Sequence, residues 1–264
     1  AAFLEAAAAA GARLDAFAHP LRGVQGEELF VDVAEVGAVD ADDVVLIVSG
    51  THGVEGYLGS ALQRQHLETV DRDRSGGPTL VFVHALNPYG FSWVRRVNED
   101  NVDLNRNFVD WDQPAPTNDD YAELADLLVP SSWTPQEHER TLVGLMAKLE
   151  QFGMERLQQI IQGGQFQHST GVFYGGAGPT WSHRWLRDFA SQRLTGVRRA
   201  AIIDLHTGLG PWGHGSLLSS NRPGDAAYDR QVAWWNDVTA LDAGDSVSAL
   251  VAGDWLTAAP DFSP

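Results

Sequence analysis

The stretch Val44-Val45-Leu46-Ile47-Val48-Ser49-Gly50-Thr51-His52-Gly53-Val54-Glu55-Gly56 decides the fold of this chain. Its first half is a continuous apolar run rich in β-branched residues, which is typical of a strand buried on both faces of a sheet. The run ends at Ser49-Gly50, and His52 and Glu55 follow before a helical pattern begins. An imidazole and a carboxylate three residues apart, just beyond a central strand, can converge on one metal ion. This turn is therefore the first candidate site.

Two further apolar runs extend the pattern. Residues 57–69 have helical spacing, and Thr79 to Leu86 is a second buried strand. Strand, helix and strand predict a βαβ unit with parallel strands and a right-handed crossover. A third apolar run, Ala200 to Leu205, leads directly into His206. Because parallel α/β sheets bind ligands at the carboxyl ends of their strands, the sequence predicts an α/β fold with its site at that edge.

The rest of the chain is patterned less clearly. Residues 1–16 are rich in Ala and are predicted to be helical up to a break at His19-Pro20, and residues 30–36 alternate like an edge strand. Residues 119–162 read as helical. No repeat, low-complexity linker or shift in composition divides the sequence, so a single domain over residues 1–264 is predicted.

Composition excludes several classes of function. The chain has 264 residues and a formal net charge of −17, which repels nucleic acid and anionic membranes as partners. It has no Cys, so a zinc site would have to use His and carboxylate ligands. No apolar run of about 18 residues is present, and the N-terminal Ala-rich stretch lacks the basic region of a signal peptide. A cytoplasmic protein is the default expectation.

His52, Glu55 and His206 make a set of two histidines and one carboxylate. This is the ligand count of a catalytic zinc site, whose open fourth position holds a water with a pKa lowered to about 7. A His-x-x-Glu pair alone carries little weight, because short motifs produce many false matches. His206 changes the balance, since it also follows a buried strand directly. His84 is interpreted as a core residue. Three histidines remain minor candidates: His168 and His214, in loops that contain Gly, and His19.

The second signal is the polar stretch from Arg95 to Phe108. It interleaves three Arg with Asn side chains in a chain that has only 18 Lys and Arg against 35 Asp and Glu. Arg binds carboxylates through two parallel hydrogen bonds, and Asn adds a directional donor. Clustered Arg near a proposed metal site indicates an anionic ligand.

Together these segments resemble the carboxypeptidase A-like zinc metallopeptidases and their relatives, the aspartoacylase and succinylglutamate desuccinylase group, and they look closest to a bacterial branch of that clan. The order is the same: His-x-x-Glu at 52–55, Asp-Leu-Asn-Arg at 103–106, then His206 after a strand. The match spans roughly residues 40–215. The resemblance implies a three-layer α/β/α fold of the zinc carboxypeptidase type, with a mostly parallel mixed sheet.

The resemblance also implies roles for particular residues. The expected ligands of Zn²⁺ are His52, Glu55 and His206. Arg96 would polarise the scissile carbonyl and hold the developing oxyanion, with Arg95 as the alternative. The remaining roles are a grip on the terminal carboxylate of the substrate, by Asn105 and Arg106, and support of the two imidazoles, by Asp103 for His52 and Asp204 for His206.

The implied function is a zinc-dependent hydrolase that uses a metal-activated water to cleave an amide bond next to a carboxylate, as a carboxypeptidase or an N-acyl amino acid deacylase does. The expected substrate is a small peptide or N-acyl amino acid with a free carboxylate. A serine hydrolase is discarded, because the sequence has no Gly-x-Ser-x-Gly motif.

One part of the family pattern is missing. The family uses a Glu on a strand after the third ligand to move the proton, whereas the last Glu here is Glu155. We expect that the sequence stops short of the family's final strands and helix, so that the chain as given binds metal and hydrolyses poorly. The alternative is a non-catalytic module that binds zinc and carboxylate. Asp254, after residues 246–251, comes nearest to a strand-end carboxylate.

Overall fold

The structure is a computed structural model that describes residues 1–71, 76–241 and 251–262. Its strands are Arg13–Arg22 (β1), Glu28–Val36 (β2), Asp43–Ser49 (β3), Thr79–His84 (β4), Arg199–Leu205 (β5), Leu217–Ser219 (β6) and Val238–Ala240 (β7). Its α-helices are Ala2–Ala9 (α1), Gly56–Thr69 (α2), Pro88–Ser92 (α3), Ala125–Leu128 (α4), Pro135–Phe152 (α5), Met154–Gln162 (α6), Trp181–Leu194 (α7), Ala226–Trp235 (α8) and Trp255–Ala258 (α9). Within the described ranges no helix has the length and apolarity needed to cross a bilayer.

The chain forms two compact units. The first contains residues 1–104, 179–208 and 258–264, and the second contains residues 105–178 and 209–257. The sequence shows no composition shift at any of the four points where the chain passes between the units, and the single-domain assignment stays a prediction.

The first unit is built on a five-stranded sheet in the order β1-β2-β4-β3-β5. β3 pairs in parallel with β4 and with β5, whereas β2 pairs antiparallel with β4 and with β1. Four of the five strands therefore run in the same direction. The predicted α/β class, the mostly parallel sheet and the parallel βαβ unit around β3 are confirmed.

Helices cover both faces of this sheet. On one face, Phe3 of α1 and Leu67 of α2 pack into a buried cluster with Phe82 of β4. On the other face lies α7, because Phe17 of β1 contacts Trp185, with ring centroids 5.2 Å apart. Phe17 and Phe82 lie on opposite faces, since strand register and alternation place them so. The first unit is a three-layer α/β/α structure.

The carboxyl end of β3 is fixed by buried polar contacts. Gln63 of α2 is 1% exposed; its amide donates to the carbonyls of Ile47 at 2.9 Å and Val83 at 3.0 Å, and its Oε1 accepts from Ser49 Oγ at 2.9 Å. Gly50 follows with φ +73, and a Cβ there would lie 3.0 Å from Ala85 Cα. The sharp turn after β3 therefore depends on glycine.

Two expectations about the N-terminal region were wrong. The helix does not extend to residue 16 but ends at Ala9, because Gly11 adopts φ +74 and closes it. Residues 13–22 form the edge strand β1, which tolerates Pro20 at a register irregularity between Ala18 and Arg22. The strand expected at residues 30–36 is present as β2, but it lies between β1 and β4 and is not an edge.

The second unit is mainly helical. Tyr121 and Leu124, just before α4, form a buried cluster with Leu157 and Ile160 of α6, and α4 and α5 pack partly buried apolar side chains against it. β6 and β7 pair in parallel, and α8 connects them along the chain. The helical character expected for residues 119–162 is present, with an interruption between α4 and α5.

Candidate metal centre

The turn after β3 brings His52 and Glu55 together. A single 3₁₀ turn covers Gly53–Glu55, and the amides of Glu55 and Gly56 donate to the His52 carbonyl at 3.1 and 3.2 Å. A Cβ on Gly53 would lie 2.0 Å from the main chain of Gly90, so the turn packs directly against the backbone. The tight turn sets the two side chains of the His-x-x-Glu pair side by side.

His206 reaches the same place from the neighbouring strand. Ser49 pairs with Leu205 in the β3–β5 register, so the two strands end beside each other. The rings of His52 and His206 have centroids 4.9 Å apart. One ligand atom each from His52, Glu55 and His206 lies within 4.8 Å of the others. The structure thus brings together the three residues that the sequence placed at two separate strand ends.

Glu55 is the centre of this cluster. Its Oε1 lies 2.7 Å from His52 Nδ1, and its Oε2 lies 3.2 Å from His206 Nδ1 and accepts from the Thr207 amide at 2.7 Å. Burial raises the pKa of Glu55, but hydrogen bonds and charge from the two imidazoles outweigh it and hold that pKa well below its usual range. The carboxylate is therefore ionised and available to a cation.

Each imidazole turns its other nitrogen to an aspartate. His52 Nε2 lies 3.0 Å from Asp103 Oδ1, and His206 Nε2 lies 2.6 Å from Asp204 Oδ2. Both aspartate side chains have no exposed surface. Metal-binding histidines usually donate their second N–H to a carboxylate in this way, which leaves the first nitrogen for the metal. The donor set and its supports fit Zn²⁺.

Arg96 adds a cation to the cluster. Its Nε donates to Asp103 Oδ2 at 3.0 Å and its Nη1 to Glu55 Oε1 at 3.2 Å, while 39% of the side chain stays exposed. The main chain fixes its position, since Gly53 and Val54 donate to the carbonyls of Arg96 and Arg95 at 3.3 and 2.9 Å. Arg96 therefore combines anchored contacts with a face open to solvent.

The charges of the cluster also act on His206. Partial desolvation lowers the pKa of His206, but the charge of Asp204, its hydrogen bond and Glu55 together raise it to about 10. Without a metal, His206 is an imidazolium at neutral pH. A cation that binds its Nδ1 has to displace a proton.

The predicted carboxylate grip lies in the second unit. Arg106 is 4% exposed; its Nε and Nη2 donate to the Gln162 carbonyl at 3.0 and 2.6 Å, and its Nη1 donates to the Asn105 carbonyl at 3.0 Å. The ring of Phe173 lies 5.1 Å from its guanidinium carbon. The substrate-binding role of Asn105 and Arg106 stays a prediction.

Asp254 has a local structural role. Its carboxylate accepts hydrogen bonds from the amides of Leu256 and Thr257 at 3.3 and 3.1 Å and from the Thr257 hydroxyl at 2.8 Å. Asp254 thus caps the start of α9. The strand that the sequence suggested before it falls largely on residues 242–250, outside the described residues.

Thr51 is a member of the cluster that the sequence did not reveal. It is fully buried, and its hydroxyl lies 2.9 and 3.0 Å from the two carboxylate oxygens of Asp204. Its position directly before His52 was the only signal in the sequence. The contact depends on the pairing of β3 with β5, which the sequence does not specify.

Similar solved structures share this fold. Carboxypeptidase A from Helicoverpa armigera superposes with a TM-score of 0.53 at 14% identity, over 99% of this chain and 60% of that chain. Bovine thrombin-activatable fibrinolysis inhibitor, in complex with tick carboxypeptidase inhibitor, gives 0.51 at 13% identity, over 98% and 79%. These superpositions confirm the carboxypeptidase-like fold.

Three further comparisons concern a less similar structure, the curated proteins and a family profile. A succinylglutamate desuccinylase/aspartoacylase-type protein from Shewanella frigidimarina matches with a TM-score of 0.37 at 20% identity, over 75% of this chain and 46% of that one. No curated protein matches the sequence. The sequence profile of one family, described as "Protein of unknown function (DUF2817)", matches residues 1–264. The chain therefore belongs to the DUF2817 family, within which it combines a carboxypeptidase-like fold with a His52, Glu55 and His206 cluster.

Proposed function

We propose that this protein is a zinc-dependent hydrolase that cleaves an amide bond next to a carboxylate. The observation that carries the proposal is the convergence of His52, Glu55 and His206, with the second nitrogen of each imidazole on a buried aspartate. Two imidazoles, one carboxylate and an open position are the donor set of catalytic zinc. The carboxypeptidase-like fold supports the same assignment.

The residues of the cluster divide the work. Asp103 and Asp204 hold the rings of His52 and His206 with Nδ1 directed toward Glu55. A zinc ion bound there supplies Lewis-acid activation of a water and of the scissile carbonyl. The guanidinium of Arg96 is held beside Glu55 and partly exposed, so it can donate to the carbonyl oxygen of the substrate as negative charge develops.

The proposed substrate class is supported by the arginine side chains and by the resemblance to carboxypeptidases and N-acyl amino acid deacylases. A carboxypeptidase substrate or an N-acyl amino acid ends in a free carboxylate, which Arg side chains recognise through paired hydrogen bonds. In a chain of net charge −17, such a substrate needs local cationic groups to approach the site. Asn105 and Arg106 are the proposed grip.

The test uses the purified protein. Zinc content is measured by plasma mass spectrometry, and hydrolysis is followed on N-acetyl amino acids and short peptides, each with a free or an amidated terminal carboxylate. Expected are one zinc per chain and a turnover that is slow, because no Glu follows His206, but that depends on the free carboxylate. Glu55→Gln should lose the metal, while Glu68→Gln, at an exposed position of α2, should keep it.

Two results would overturn the proposal. One is a protein that takes up no zinc at neutral pH. The other is a zinc-loaded protein that leaves the free-carboxylate substrates intact or cleaves them no better than their amidated counterparts.

A further inference from the structure

We propose that Thr51 is a positioning residue that sets the orientation of His206, and with it the metal affinity of the centre. This inference rests on the proposed zinc site and goes beyond its ligands. Thr51 lies one residue before His52, yet its hydroxyl acts on the other histidine through Asp204. It therefore links the two strand ends that deliver the ligands.

The geometry forms a continuous chain of contacts. Thr51 Oγ1 donates to the carboxylate of Asp204, with the two oxygens at 2.9 and 3.0 Å, and Asp204 Oδ2 lies 2.6 Å from His206 Nε2. Thr51 and the side chain of Asp204 have no exposed surface. A buried carboxylate that loses a donor is strongly driven to find another, so Asp204 would turn and the imidazole would turn with it.

Behind each histidine an aspartate accepts from a second side chain, and behind His206 Thr51 is such a donor. Asp103, beside His52, also accepts from Arg96 at 3.0 Å, so a charged group fixes that carboxylate. Asp204 accepts from a neutral hydroxyl at the corresponding place. His206 is also the more exposed ligand, with 31% of its side chain accessible against 5% for His52. The orientation of His206 thus depends more on hydrogen bonding than on packing.

The experiment compares Thr51→Val, which removes the hydroxyl and keeps the shape, with Thr51→Ser, which keeps the hydroxyl. Zinc affinity is measured by competition with a chelator, and the ligand field is read from the visible spectrum of the Co²⁺-loaded protein. Thr79→Val is the matched control, because Thr79 is equally buried and its hydroxyl donates to the Ala38 carbonyl at 2.6 Å, at the start of β4.

We expect Thr51→Val to weaken zinc binding by about 10–100-fold, the range found for supports of metal-binding histidines, and to change the Co²⁺ spectrum. Thr51→Ser and Thr79→Val should behave like the wild type. Since Thr51 acts through Asp204, the double variant with Asp204→Asn should bind no more weakly than Asp204→Asn alone.

Unchanged affinity in Thr51→Val overturns the inference while the proposed zinc site stands. Additive losses in the double variant also overturn it, because they would show that Thr51 acts independently of Asp204. If the valine variant does not fold, Thr51→Ala and Thr51→Ser give the same comparison, and equal affinities overturn the inference. A wild-type protein without zinc uptake overturns it together with the proposed function.

Discussion

Zinc uptake is expected to release one proton from His206 at neutral pH, in addition to the fraction released by a zinc-bound water with a pKa of about 7. In the metal-free protein, Asp204 and Glu55 raise the pKa of His206 to about 10, so the imidazole carries two protons at pH 7.5. One of them occupies Nδ1, the atom that faces Glu55. The metal and this proton compete for the same lone pair.

The magnitude follows from the distance between the pKa and the working pH. A pKa of about 10 lies roughly 2.5 units above pH 7.5, which costs zinc binding about 3 kcal/mol at 1.36 kcal/mol per unit. Apparent affinity should therefore rise about tenfold per pH unit between pH 7 and 9. Asp204→Asn removes the group that raises the pKa of His206 most, so proton release at pH 7.5 should fall by about one proton per chain relative to the wild type.

Isothermal titration calorimetry in buffers of different ionisation enthalpy measures the number of protons released, with a competing chelator to keep the affinity in range. Thr79→Val, which is buried at the start of β4, should release as many protons as the wild type. The reasoning is refuted if the wild type releases no proton at pH 7.5 and binds zinc equally well at pH 7 and pH 9.

Three other outcomes are expected. Arg96→Gln should lower kcat by about 10²–10³-fold and retain zinc, because the guanidinium holds the oxyanion and is not a metal ligand. Steady-state kinetics and metal analysis measure the two effects, and loss of zinc from the variant would contradict the prediction. Burial lowers the pKa of His84 to about 4, below its unfolded value, so the free energy of unfolding should fall by about 2–3 kcal/mol between pH 6.5 and pH 4.5 as the buried ring is protonated. Urea unfolding at pH 7 and 4.5 should show a smaller loss of stability at low pH in His84→Gln than in the wild type. Gln63→Leu should destabilise the first unit by about 2–4 kcal/mol in urea unfolding, because it removes the contact with Ser49 Oγ and leaves two buried carbonyls without this donor. A loss of less than about 1 kcal/mol in the free energy of unfolding would contradict this prediction.

The buried parallel strands could be predicted from the sequence, whereas the edge of the sheet could not. β3 and β4 lie inside the sheet, are largely buried and therefore read as continuous apolar runs; β5 at the opposite edge is only partly buried, yet its apolar run was still readable. β1 is mostly exposed, and His19 is the one buried residue among its ten. Its sequence therefore shows little of the apolar pattern that marks a buried strand. Gly11, which ends α1, was the available sign that the Ala-rich helix is short.

The site divides in a similar way. His52, Glu55 and His206 could be found because each follows a strand directly, and residues at adjacent strand ends converge in any parallel sheet. The contact of Thr51 with Asp204 could not, because it depends on the register that pairs Val48 with Asp204. A buried Thr hydroxyl looks the same in sequence whether it bonds to a carbonyl, as Thr79 does, or to a carboxylate.

The backbone bonds from Gly53 and Val54 to the carbonyls of Arg96 and Arg95 have a consequence for protein engineering. They join the ligand-bearing turn and the arginine segment into one main-chain unit, although about 40 residues separate the two in sequence. A designer who transplants this centre into another scaffold would have to carry both segments together. A graft of the His-x-x-Glu turn alone would carry His52 and Glu55 but lose the backbone hydrogen bonds that hold Arg96 beside them.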